Sequence, residues 1–342
     1  MRSALAVSAL LLATAPAPAG PSGSFRDFTA YCTNAQTCTV EVMGQGEGVF
    51  GAGLKRAAGP GAAVEGLIRA SAAFRPGSTV AFTVDGAAVA TVDAAAFRRD
   101  EDWNLSLLAG SPAVDKLMAA FRAGRRLSIA YDIGKGIERA EFPLNGYVAA
   151  LIFVDEAQGR IGARDALEKK GAAEPVDPGL REIASIDALP AALRDRFTGD
   201  GECAFFDPLR FGYGEAFEAR LDGENSLVIA PCAEGGAYNQ PYLAFHVSGA
   251  NARAIPLPGM GEKGPVVRAE AWNVSWDNRK GELTAFMKGR GLGDCGLYDR
   301  WTLINAPYDP GFMLLESRAK DECDGNFDTG PEGWPRLWPP ER

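Results

Sequence analysis

"GRGLGDCGLYDRW", Gly289–Trp301, sets four glycines around Cys295, with Arg290 and Asp294 among them. Such a stretch can cradle a phosphate, hold a metal, or form a tight covalent corner. The choice decides whether this part of the chain is a nucleotide-binding α/β unit or stapled β-structure. A phosphate loop needs G-x-x-x-x-G-K-[ST] ahead of a helix. Here no lysine follows the glycines, and "RWTLIN" (300–305) alternates as a strand. A dinucleotide fingerprint needs a strand–loop–helix context that is also missing, and "DIGKG" (132–136) fails for the same reasons. Zinc is disfavoured because the chain has no C-x-x-C pair and a single histidine. The glycines therefore read as turn residues at a covalent corner, where positive φ and close backbone approach are needed.

That reading depends on an oxidising compartment. "MRSALAVSALLLATAPAPAG" has one positive charge at Arg2, a short apolar run from Ala4 to Ala13, and small residues ending Ala17-Pro18-Ala19. This is the pattern of a secretory signal peptide over residues 1–19, cut after Ala19. The run is too short for a membrane span. A periplasmic or secreted location is expected. There the six cysteines, Cys32, Cys38, Cys203, Cys232, Cys295 and Cys323, read as three disulfides. Six cysteines allow fifteen pairings, of which neighbour pairing is the simplest.

The 342 residues are 46% hydrophobic, enough for a sizeable core and for two domains. A net charge of −9 repels nucleic-acid phosphates and anionic lipid, so neither is expected as a partner.

Residues 20–170 read as a β-sandwich-like domain carrying two helices. "TVAFTVDGAAVATV" (79–92) is a hairpin about Asp85-Gly86. In "SPAVDKLMAAFRAGRR", Val114, Leu117, Met118 and Phe121 repeat at helical spacing, with Ser111 to cap, Pro112 in the first turn and Gly124 to end. "RLSIAYDI" and "ERAEFPLNG" follow as strands, then "YVAALIFVDEAQGR" as a helix whose Val148, Leu151 and Ile152 face the core. Asp155 and Glu156 are expected to cap that helix or to pair with Arg160 or Arg164. Residues 171–196, with three prolines and no aromatic, read as a linker with one short helix. Residues 197–342 read as an all-β antiparallel domain, a sandwich or meander of short strands between turns such as Asp222-Gly223 and Asp277-Asn278. The fold class is mainly β.

"GRGLGDCG…W", "CDG" (323–325), "WPRLW" (334–338), "PCAEGGAYN" (231–239) and "FPLNGYVAALIFVDEAQGRIGARDAL" (142–167) together resemble the exported bacterial family called domain of unknown function 1176. The likeness spans nearly the whole chain after the signal. The first half, through "FRDFTAYCTNAQTC", also resembles the invasion-associated locus B family of exported bacterial proteins. Membership implies a periplasmic or secreted protein and brings no catalytic residue to carry over.

Candidate sites are weighed against plain structural roles. His246, in "LAFHVSG", lacks a G-x-S-x-G partner and reads as a packed strand histidine. Asp324, Asn326 and Asp328 hold positions one, three and five of a calcium loop, but glycine falls at position seven and Pro335 at twelve. A weak non-EF calcium site stands against a solvated acidic turn, and no metal or cofactor is assigned. Tyr238, Asn239, Arg290, Asp294, Trp301 and Trp334 are the candidate binding residues: aromatics that line a groove or fill a core, with polar groups beside them. The expectation is a non-enzymatic binding or envelope-interaction protein whose partner is an envelope protein or glycan. The alternatives are a carboxylate-dependent hydrolase of envelope polysaccharide or peptide, and an inhibitor of a secreted hydrolase.

Overall fold

The computed structural model describes residues 20–101, 104–204, 211, 216–327 and 330–340. The signal-peptide reading and Asp328 of the calcium reading lie outside the described residues.

The first half runs β1 Ser22–Phe25, β2 Phe28–Cys32, β3 Cys38–Met43, β4 Val49–Arg56, β5 Val64–Ala70, β6 Thr79–Val84, β7 Ala87–Asp93, β8 Arg98–Asp100, β9 Leu105–Leu108, α1 Pro112–Ala123, β10 Arg126–Asp132, β11 Ile137–Pro143 and α2 Tyr147–Ala157. Asp85 and Gly86 both take positive φ, the backbone a two-residue hairpin turn requires, and β6 pairs with β7 across them. Strands β1–β5, β9 and β8 form one antiparallel sheet, and β11, β10, β6 and β7 a second. One apolar core joins both sheets to both helices. Ser111 Oγ accepts the Ala113 N–H at the start of α1, and Val114, Leu117, Met118 and Phe121 are its buried face, as the spacing predicts. In α2 the buried face is Tyr147, Ala150, Leu151 and Val154, one step round from the expected one, leaving Val148 and Ile152 half-buried. The helix is apolar nearly all round, so periodicity alone does not select its inner side.

The second half runs β12 Leu180–Glu182, α3 Ala191–Arg194, β13 Phe217–Arg220, β14 Asn225–Pro231, β15 Pro241–Ser248, β16 Asn251–Ala254, β17 Leu257–Gly261, β18 Gly264–Arg268, β19 Glu270–Trp272, β20 Ser275–Asp277, β21 Glu282–Lys288, β22 Gly296–Ile304, β23 Gly311–Lys320 and β24 Arg336–Trp338. Strands β12–β16, with β19 on β15, make a central sheet; β20–β24 make a five-stranded meander; β17 and β18 form a separate ribbon. The central sheet is covered on both faces. Phe217, Leu227 and Ile229 pack with Leu283, Trp301 and Phe312 of the meander. On the other side Val228, Ala230 and Phe245 pack with Ile183, Leu189, Leu193 and Phe197.

The stretch read as a linker is therefore only partly one. From Leu180 it enters the central sheet through β12, and Ile183, Leu189 and Leu193 are buried in a core layer. Burial of such side chains contributes about 1.5–3 kcal/mol each, which outweighs the breaker residues around them.

Candidate functional site

The glycine-rich stretch is a covalent corner: Cys295 is bonded to Cys323, alongside Cys32–Cys38 and Cys203–Cys232, the neighbour pairing. Gly296, at φ +140°, turns the chain into β22, and a Cβ there would stand 2.0 Å from the Met287 carbonyl oxygen, so no larger residue fits. Asp294 is fully buried and accepts from Arg290 Nε at 2.8 Å, Arg290 Nη2 at 2.5 Å and the Gly325 N–H at 2.6 Å. The Arg290 guanidinium is the main reason its carboxyl is held well below the usual carboxylate range.

Of the other candidate binding residues, Tyr238 and Asn239 lie against this corner, and most of the set are committed to internal contacts. Asn239 donates through Nδ2 to the Lys288 carbonyl and accepts on Oδ1 from the Lys288 N–H and from Asn273 Nδ2. Trp334 is buried, with its ring 5.4 Å from that of Phe286. Trp301 is 1% exposed and donates to the Pro258 carbonyl at 2.6 Å, inside the core rather than on a groove. Tyr238, 41% exposed, stands against Gly291. His246 is buried, with Nε2 3.0 Å from Asn225 Oδ1, and burial foremost lowers its pKa. Asp324 accepts from Lys320 Nζ and from the Asn326 N–H, the geometry of a paired acidic turn. Asp294, Cys295 and Cys323 come within metal-ligand distance of one another, but both sulfurs are bonded to each other.

A second feature escapes sequence reading altogether. Alternation along β21–β23 sends Leu283, Ala285, Trp301 and Phe312 into the core and leaves a polar outer face. The register sets Asp277 opposite Glu282, Thr284 opposite Arg300 opposite Glu316, and Tyr298 opposite Arg318. With Ser275, Lys280 and Glu332 these groups line an open cleft of about 390 Å³. Three guanidiniums meet on Glu316: Arg318 at 2.6 Å, Arg300 at 3.4 Å and Arg336 at 3.4 Å. Arg300 also reaches Glu282 at 3.2 Å, and Lys280 reaches Asp277 at 3.3 Å. Partial burial works to raise the Glu316 pKa, but Arg318 and Arg300 outweigh it and the carboxyl is held below its ordinary value. Tyr298 donates to Glu332 at 3.4 Å, and burial, followed by the Glu332 charge, pushes its hydroxyl up to about 12.

Chemically the cleft alternates ionised acceptors with guanidinium and hydroxyl donors. Its clamped carboxylate Glu316 keeps no proton to give near neutrality, which a general acid requires. The carboxyl on this sheet that burial does push up, Asp299, lies on the reverse face beside Arg268 at 3.0 Å. The cleft's only sequence signal is a two-residue period of polar groups, Glu282/Thr284, Tyr298/Arg300 and Glu316/Arg318, which any solvated sheet face would give.

The sequence profile of the family described as "Protein of unknown function (DUF1176)" matches residues 22–341. The chain belongs to this family. It is 32% identical over 216 residues to "Uncharacterized protein YpfG" of Escherichia coli (strain K12), an alignment covering 57% of this chain and 58% of that protein. The chain thus spans less than two thirds of that relative's length. Invasion associated protein B of Bartonella henselae matches 41% of the chain over 99% of its own, with a TM-score of 0.32 and 15% identity.

Proposed function

We propose that this DUF1176 protein is exported, cut after Ala19, and acts in the periplasm or outside the cell as a non-enzymatic binding protein. Its ligand is a polar group on an envelope protein or glycan. The observation that carries this reading is the cleft on the β20–β24 meander. It is open and dense in hydrogen-bonding groups, and Glu316 at its centre is clamped by three arginines. Such a surface offers fixed charges and dipoles to a polar ligand at low reorganisation cost. Carboxylate-dependent hydrolysis is less well supported, since it calls for a protonated acid facing the substrate. Three disulfides agree with an oxidising compartment. Among the described residues no helix is long and apolar enough to cross a membrane.

The test is capture from the envelope of the bacterium that makes the protein. The chain from Gly20, carrying its three disulfides, is crosslinked there and its bound proteins and glycans are identified by mass spectrometry. The expected result is one saturable partner, retained by Tyr238→Ala and lost by Arg300→Ala at unchanged thermal stability. Loss only with Tyr238→Ala would move the site to the glycine-rich corner. No saturable partner would remove the binding reading.

A further inference from the structure

We propose that the Cys295–Cys323 disulfide is a thiol-exchange site, and that its opening withdraws Glu332 and Arg336 from the cleft. This rests on the cleft being the binding surface.

Among the six half-cystines, five are buried; Cys323 alone sits in a wholly exposed stretch, residues 321–327. Cys323 is the side from which a dithiol reductant would approach this bond, whereas the other two disulfides are enclosed on both sides. What the bond holds is the described part of the segment from Cys323 to Trp338, which lies along β23 and beside the cleft. That strap brings Glu332 to the Tyr298 hydroxyl and Arg336 to Glu316. Besides the disulfide, the strap is held by the Gly325 N–H on Asp294, by Lys320 Nζ on Asp324 and on the Asn326 carbonyl, by the Ala319 N–H on the Pro335 carbonyl, by Arg318 Nη1 on the Trp334 carbonyl, by the short β23–β24 pairing, and by the Trp334 ring on Phe286. The strap strand, β24, is three exposed residues at the sheet edge.

The exchange balances without any group of this protein being consumed. A thiolate of a protein dithiol attacks Cys323 Sγ, and the bond to Cys295 breaks. Cys295 leaves as a thiolate and takes up a proton. The second thiol of the reductant then attacks the mixed disulfide, closing the reductant's own disulfide and freeing Cys323 as a thiol. Two electrons pass from the reductant to the protein. The departing Cys295 sulfur has the Asp294 carboxylate near it, and the two-point contact with Arg290 offsets that charge. Once open, the strap is no longer restrained by closure of a loop with sequence separation 28. Glu332 and Arg336 leave together, and Glu316 loses one of its three cations.

The test uses the full chain under graded dithiothreitol, with freed cysteines alkylated and mapped by mass spectrometry. Cys295 and Cys323 should label first, while Cys32, Cys38, Cys203 and Cys232 remain paired. Amide exchange at Ala319 should then speed up by roughly a hundredfold, with the β14 amides unchanged. The Tyr298 ring resonance should titrate lower as Glu332 departs. The double variant Cys295→Ser, Cys323→Ser should show the same exchange and titration without reductant. Earlier labelling of another pair, or an Ala319 amide still protected in the double variant, would overturn the proposal. Envelope capture separates this inference from the one beneath it. If Arg300→Ala abolishes capture but the opened protein captures normally, the strap has no part in binding and the inference fails. If the strap opens and capture survives Arg300→Ala as well, it is the cleft reading that fails.

Discussion

Asp155 and Asp294 are buried carboxylates, each in a short polar motif and each held differently. Asp155 accepts the N–H groups of Leu167 at 2.6 Å, Glu168 at 2.8 Å and Lys169 at 2.9 Å, so the chain after α2 is wound onto one side chain. Of the two expected roles, capping or pairing with Arg160 or Arg164, its carboxylate takes neither ion pair; Arg160 goes to Asp165 and Arg164 to Glu174. Asp155→Ala should strand the buried Leu167 N–H and loosen two part-buried donors, lowering stability by about 2–3 kcal/mol in urea unfolding. Asp155→Asn should recover part of that loss, because an amide oxygen still accepts. Asp294 predicts a pH effect. Its folded pKa lies below the unfolded value, so its contribution is complete above about pH 4 and fades as pH falls through the folded pKa. Asp294→Asn should therefore lower Tm at neutral pH and flatten the decline of Tm in acid. An unchanged acid limb would show that other carboxylates govern it. The role of Asp155 is not legible in sequence, since its partners are main-chain N–H groups that every residue but proline carries.

At the scale of elements, what was legible is what local rules govern. The Asp85-Gly86 hairpin and α1 carry their own turn and cap residues, and both stand where the sequence places them. The cleft carries no such signal, because its residues converge only through the register of β21, β22 and β23. Nor does the β17–β18 ribbon, where prolines and glycines break the alternation that marks a strand. Burial on the central sheet leaves little trace in residues 180–196 because the apolar residues that anchor them are spaced irregularly and contact a sheet built mostly later in the chain. Two glycines in neighbouring strands make a paired prediction. At Gly53 a Cβ would fall 1.9 Å from the Val40 carbonyl oxygen, whereas at Gly66 the nearest atom is Val114 Cγ2 at 3.5 Å. Gly66→Ala should stabilise by about 0.4–1 kcal/mol by restricting the unfolded chain. Gly53→Ala should destabilise by more than that, since backbone must move. Equal effects of the two in thermal melts would show that the sheet accommodates the added methyl.

At the scale of the molecule, the two halves are joined by the tip of the Cys32–Cys38 hairpin. Asn34 is buried; its Nδ2 donates to the Val274 carbonyl at 3.2 Å and its Oδ1 accepts the Trp276 N–H at 3.0 Å. Ala35 belongs to the second half's core. Asn34→Ala leaves two buried backbone groups unmatched, at a cost of about 2–3 kcal/mol. The expected calorimetric result is a lower Tm and a transition that broadens or splits as the halves uncouple; one sharp transition would show that other contacts couple them.

The same tip has a temporal meaning. Asn34 lies some 240 residues ahead of the groups it binds, so in a chain delivered N-terminus first into the oxidising compartment the first sheets can close while their own projection is still bare. The tip then waits, held in shape by its disulfide, until the strands that receive it exist. For that interval it is a marker of incompleteness, displayed only by molecules whose second half has yet to fold. A protease or chaperone that recognises it would act on unfinished chains and spare finished ones.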